Sequence, residues 1–130
     1  MTAREWLSQI RRIEFEIRQR KAQIESMYNS IKAVSYGNVP GAHDNDATLH
    51  LVERIMKLQD LQRLQIEELE ETRQEIIAEI QAIQNVNVSQ VLHSKYCEYL
   101  TVKQIARKMS YSEARIYQLH NEGLALIGEH

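Results

Sequence analysis

Turn-forming residues are nearly missing from this 130-residue chain, which has four glycines and one proline. So few of them leave little room for hairpin turns, which excludes sandwiches, barrels and multi-stranded sheets. The single cysteine, Cys97, cannot close an internal disulfide, so a disulfide scaffold and the secretory route that accompanies it are not expected. Aromatic residues are only 6% of the chain, with one Trp and one Phe. No apolar run approaches the roughly 18 residues that a membrane span needs. The opening Met1-Thr2-Ala3-Arg4-Glu5-Trp6 lacks the apolar core of a signal peptide. Neither sign of charge dominates, since 16 basic residues stand against 18 acidic ones, a formal net charge of −2. A cytoplasmic protein with no membrane partner is the expectation.

What the chain does have is aliphatic residues, set in stretches rich in Glu, Gln, Arg, Ile and Leu, the composition of long helices and coiled coils. Over residues 2–34, Trp6, Ile10, Ile13, Ile17, Ile24, Met27 and Ile31 recur in alternating four- and three-residue steps, the seam of an amphipathic helix. Arg20 takes the one missing place in that seam. Thr2 stands three residues before Glu5, the capping-box spacing, and predicts a helix start at Thr2. About 32 helical residues span roughly 48 Å, too long for a small bundle unless something equally long lies alongside.

That partner follows a break at 35–46, where two glycines and the only proline predict a loop. Asp44 or Asp46 is suited to cap a second helix running to about Gln84. Its stripe is Val52, Ile55, Ile66, Leu69, Ile76, Ile80 and Ile83, with Gln59, Gln62 and Arg73 at the intervening places. Leu51, Leu58, Leu61 and Leu64 widen the apolar face beyond what one partner helix covers, because a two-helix seam uses only two positions in about seven. A homo-oligomer, dimer or higher, is therefore expected, with Ile55, Ile66, Leu69 and Ile76 as its contacts. Residues 1–85 read as an oligomerising helical hairpin.

At Asn85-Val86-Asn87-Val88-Ser89 the periodicity fails, and four of the six tyrosines lie beyond it. Residues 86–130 read as a second module. Thr101 with Gln104 forms a capping box before a two-turn helix, Val102 to Met109, and Ser112 caps another helix from Glu113 to about Ile127. Ile105, Ala106, Met109, Ile116 and Leu119 fall on the inward side, the small Ala106 standing where two helices cross. That is the spacing of a helix-turn-helix. On the outward side of the second helix lie Glu113, Ala114, Tyr117, Gln118 and Asn121, where a recognition helix meets base edges. Glutamine and asparagine amides match the paired donor and acceptor of adenine. Lys103, Arg107, Lys108 and Arg115, with the hydroxyls of Thr101 and Ser112 at helix N-termini, are placed to hold phosphates. Residues 99–121 carry four basic side chains against one acidic. The fold expected is all-α: a long antiparallel coiled-coil hairpin followed by a small C-terminal helix-turn-helix module.

Lys95-Tyr96, Thr101 through Ala106, Tyr111-Ser112-Glu113 and Ile116-Tyr117-Gln118-Leu119-His120, with the opening Met1 to Leu7 and the long central hairpin, carry a resemblance. The chain resembles phage- and prophage-encoded regulators of Gram-positive bacteria with a sigma-factor region-four-like helix-turn-helix, the RinA- and ArpU-like late-gene regulators. The match is close over residues 95–124 and loose elsewhere. It implies a transcription regulator that binds double-stranded DNA, with RNA polymerase as a further partner. Such proteins commonly have glycine where this chain has Tyr99 and Ser110, and arginine where it has Ala114 and Gln118. The missing arginines support an alternative, a module that contacts RNA polymerase or another protein without reading DNA. Architecture alone suggests a third, a DNA-packaging recognition subunit like the phage small terminases.

Other residues lead nowhere sharper. His43, Asp44, Asp46 and His50 have no recognised metal spacing, and a polar loop with a helix cap explains them; no metal and no cofactor is expected. Glu67-Glu68 and Glu70-Glu71 read as a solvated helix face. Cys97 reads as a buried small residue, and nothing assembles a nucleophile with a base. The chain reads as a non-enzyme.

Overall fold

A helix begins where Thr2 closes its capping box: the hydroxyl accepts from the Glu5 amide at 3.2 Å, and the Thr2 amide donates to the Glu5 carboxylate at 3.3 Å. The structure, a computed structural model, describes residues 1–35 and 45–130. Its helices are α1 (Ala3–Ser35), α2 (Asn45–Gln81), α3 (Val86–Tyr96), α4 (Val102–Met109) and α5 (Glu113–Ile127), and the described residues contain no strand. The chain is all-α, a long helical hairpin followed by three short helices.

Packing divides it into two compact units, Met1–Glu14 with Glu71–His130, and Phe15–Glu70. The first of these units joins α3–α5 to the start of α1 and the end of α2. The physical reason lies in which apolar residues lose all contact with water. Leu7 and Ile10 from the start of α1, and Ile76 and Ile80 from the end of α2, are fully buried and belong to the same unit as α3–α5.

In the Phe15–Glu70 unit, the polar places in the two apolar seams meet one another. Arg20 donates through Nη1 to Gln62 Oε1 at 2.8 Å and also to Gln65 Oε1. Gln59, buried, donates through Nε2 to the Ile24 carbonyl at 3.2 Å. Position 20 against 62 and 65, and 24 against 59, is an antiparallel pairing. Such a polar layer fixes register, because any slip would bury the guanidinium against leucine without an acceptor.

The four contacts expected to hold copies together are covered to different degrees in the single chain. Ile66 and Ile76 are buried inside the single chain, and Ile55 and Leu69 are half-buried in it. The apolar surface left open on α2 is Leu49, Leu51, Met56, Leu58, Leu61 and Leu64, each 40–58% exposed.

In the other unit, α3 was not anticipated as a helix. Asn85 starts it, its side-chain carbonyl accepting from the Asn87 amide at 3.1 Å and the Val88 amide at 3.2 Å. The helices α3, α4 and α5 enclose Val88, Val91, Ile105, Ala106, Ile116 and Leu119, with Ile83, Leu100, Val102 and Met109 at the edge. Full burial of one such aliphatic side chain contributes about 1.5–3 kcal/mol. Ending α4, Ser110 donates to the Arg107 carbonyl and Tyr111 to the Ala106 carbonyl, the pair of bonds that closes a helix through a left-handed residue. Ser110 (φ 59°) and Tyr99 (φ 61°) are the described non-glycine residues with positive φ. They are the two positions at which the resembling regulators commonly have glycine.

Candidate nucleic-acid interface

The α4–turn–α5 unit is built by caps at both helix starts. Thr101 Oγ1 accepts from the Gln104 amide at 3.2 Å while its own amide donates to Gln104 Oε1 at 2.9 Å. Ser112 Oγ accepts from the Arg115 amide at 3.1 Å. Each hydroxyl therefore spends a lone pair on its helix and keeps its hydrogen to donate to an anion. Glu113 sits in the first turn of α5, at the positive end of the dipole.

Glu113, Ala114, Tyr117, Gln118 and Asn121 all lie exposed on α5, and Tyr117 stands 55% exposed. The structure thus brings the five proposed reading residues onto one open face. Arg115 donates to Gln118 Oε1 at 3.3 Å, so the two side chains hold each other in place. Lys103 and Arg107 are exposed on α4. Lys108 is engaged otherwise: its Nζ lies 3.1 Å from Glu98 Oε2 and donates to Ser94 Oγ at 3.2 Å. That lysine holds the Glu98 carboxyl below its ordinary range, with His93 adding to the effect. A phosphate contact from Lys108 would have to break this pair.

Behind α5 lies a buried polar pair. The Tyr96 phenol and His120 Nε2 are 2.7 Å apart, with their rings stacked at 5.7 Å. Burial pushes the imidazole down to about 4, helped by the Lys95 and Arg4 charges and opposed by a hydrogen bond with Asn121. The ring is therefore neutral near pH 7. Burial also raises the Tyr96 phenol. Asn121 thus joins the exposed face of α5 to the core.

Three aromatic and charged groups tie the start of α1 into the same unit. Trp6 stacks on His130 at 3.9 Å. The Tyr99 phenol donates to Glu14 Oε2, and the Arg11 guanidinium lies 5.1 Å from the Tyr99 ring centre. Burial, followed by the Glu14 carboxylate, raises the Tyr99 phenol. A cleft of about 320 Å³ opens here, lined by Ser8, Arg11, Lys95, Tyr96, Tyr99, Leu100 and Thr101. Neither Arg11 nor Lys95 was singled out from sequence as a contact; seven basic against four acidic residues in 1–34 was the signal available.

The remaining candidates have plain surroundings. Burial pushes the Cys97 thiol up to about 11, with Glu14 and Glu98 adding to it, which makes it a poor nucleophile. His43 and Asp44, and the side chain of Asp46, lie outside the described residues. His50 is exposed, 3.8 Å from Glu53. No group of metal-ligating side chains occurs among the described residues. No helix among them is long and apolar enough to cross a membrane. Comparison with known proteins finds no matching family model, no matching curated protein and no matching solved structure.

Proposed function

We propose that this chain is a phage-type transcription regulator that binds double-stranded DNA through α4 and α5 and assembles with further copies through its long helices. The observation that carries the reading is the open face of α5, where Gln118 and Asn121 stand exposed one turn apart and Arg115 donates to Gln118, with Lys103 and Arg107 exposed on α4. Gln118 and Asn121 meet base edges, and the basic side chains with Thr101 and Ser112 hold phosphates. The phage setting rests on the sequence resemblance alone. No catalytic step belongs to this reading.

Fluorescence anisotropy with duplexes from the cognate genome tests it. With Lys108 held by Glu98, Lys103, Arg107 and Arg115 supply about six phosphate contacts per dimer, so affinity falls roughly three orders of magnitude between 50 and 200 mM salt. An affinity indifferent to salt overturns the phosphate assignments. Gln118→Ala costs about 1–3 kcal/mol on the true site and leaves scrambled DNA nearly unchanged, whereas Arg107→Ala weakens both alike. Equal losses from Gln118→Ala on both duplexes overturn the reading face.

A protein partner such as RNA polymerase is the second reading, favoured by the exposed Tyr117 ring on the same face, since aromatic residues are enriched at protein interfaces. It gives pull-down of polymerase and no shift of any duplex. A ring of eight or more copies by native mass spectrometry points instead to DNA packaging.

A further inference from the structure

The cleft between the start of α1, the end of α3 and the N-terminus of α4 has a chemistry that the α4–α5 unit alone does not explain. Two cations, Arg11 from α1 and Lys95 from α3, line one concavity with Thr101, the residue already assigned to phosphate. These three are 84 and 6 residues apart in the chain, and only packing brings them together. The nearby carboxylates have partners of their own. Glu14 accepts from the Tyr99 phenol and lies 3.9 Å from Arg73, and Glu98 is paired with Lys108 and His93. Arg11 stacks on Tyr99, an arrangement that orients the guanidinium while leaving its five N–H donors unspent by the ring. Two cations beside a hydroxyl, one of them oriented by the Tyr99 ring, suit a tetrahedral phosphate oxyanion, which a guanidinium can bind in bidentate fashion.

We propose that Arg11 and Lys95, with Thr101, form a clamp for a DNA backbone phosphate, so that the first turns of α1 belong to the nucleic-acid surface. The proposal rests on the DNA-binding reading above and extends it from the C-terminal helices to both ends of the chain. The occupant is the duplex backbone rather than a free anion, because the cleft shares Thr101 with the phosphate-holding edge of α4.

The experiment measures the slope of log affinity against log salt for the full chain on one duplex. Removing one phosphate contact lowers the slope by about 0.9 per bound protomer. Arg11→Gln and Lys95→Gln each lower it by about that amount, and the double variant by about twice as much, with the preference for cognate over scrambled DNA unchanged. Arg11→Lys keeps the charge and gives up the guanidinium stack, so it retains the wild-type slope; a merely structural role for Arg11 would instead show in its thermal melt and leave the Lys95→Gln slope untouched. Titration with inorganic phosphate, followed by the amide resonances of Thr101 and Lys95, gives no saturable shift below about the millimolar range. Tight saturation there would make the site a free-anion site and overturn the proposal. Wild-type slope in both glutamine variants overturns it as well and leaves DNA binding standing. Failure of the wild-type chain to bind any duplex at low salt removes the DNA reading and the clamp together.

Discussion

Adding one methyl group at Gly123 should destabilise the unit in which α3, α4 and α5 pack together. In an open helix the same change would do the opposite. Gly123 is buried in α5, and a Cβ placed on it would lie 2.8, 2.9 and 3.0 Å from Leu92 Cδ1, Cγ and Cδ2. Contacts that short force something to move. Leu92 is itself fully buried, and its Cγ is a branch point close to the backbone of α3, so it cannot swing aside as a flexible tip would. Replacing glycine by alanine in a helix interior gains about 1 kcal/mol in propensity. Overpacking a closed core costs about 1–3 kcal/mol and moves backbone. We expect Gly123→Ala to lose about 1 kcal/mol net, about 4–8 °C in Tm for a unit of this size. Helicity at 222 nm through a thermal melt reads it. The double-mutant cycle with Leu92→Ala isolates the cause: Leu92→Ala alone costs about 2–5 kcal/mol, and the added methyl should then recover part of that by filling the space, a coupling of about 1–2 kcal/mol. A Gly123→Ala protein more stable than wild type by about 1 kcal/mol would show that α3 and α5 do not approach so closely.

Three further outcomes are expected. His120 holds its folded imidazole down at about 4 against an ordinary 6.5. The unfolded chain therefore binds the proton first as pH falls, and stability declines from about pH 6.5 to about pH 4 by up to about 3 kcal/mol. His120→Gln should flatten that stretch of a urea-stability profile; an unchanged profile would acquit the histidine. Ser110→Gly relieves a left-handed residue worth about 1–2 kcal/mol, less about 0.4–1 kcal/mol for the freer unfolded chain, and should raise Tm slightly; a fall in Tm would mean the serine is needed for more than the turn. Light scattering should give at least 30 kDa, twice the 15.3 kDa chain. Leu58→Glu with Leu61→Glu, both on open surface, should return the monomer with helicity intact, whereas a wild-type monomer at micromolar concentration refutes assembly through α2.

Much of the helical framework was legible because its signals are local. Thr2 with Glu5, and Thr101 with Gln104, are residues three apart whose side chains and amides satisfy each other within one turn. The limits of α4 and α5, and the exposure of Gln118 and Asn121, follow from such caps and from 3.6-residue periodicity. Tertiary structure decided what depends on distant partners. Arg20 looked like a gap in a seam until Gln62 and Gln65 came to face it from 42 and 45 residues away. Ile66 and Ile76 read as contacts for another copy, yet the chain's own packing buries them, because periodicity marks an apolar face without saying what covers it. Gly123 against Leu92, Tyr96 on His120, and the cleft joining Arg11 to Lys95 have no sequence spacing of their own. Close approach, burial and shared charge arise only when separate helices are brought within a few ångströms, and no local pattern encodes that distance.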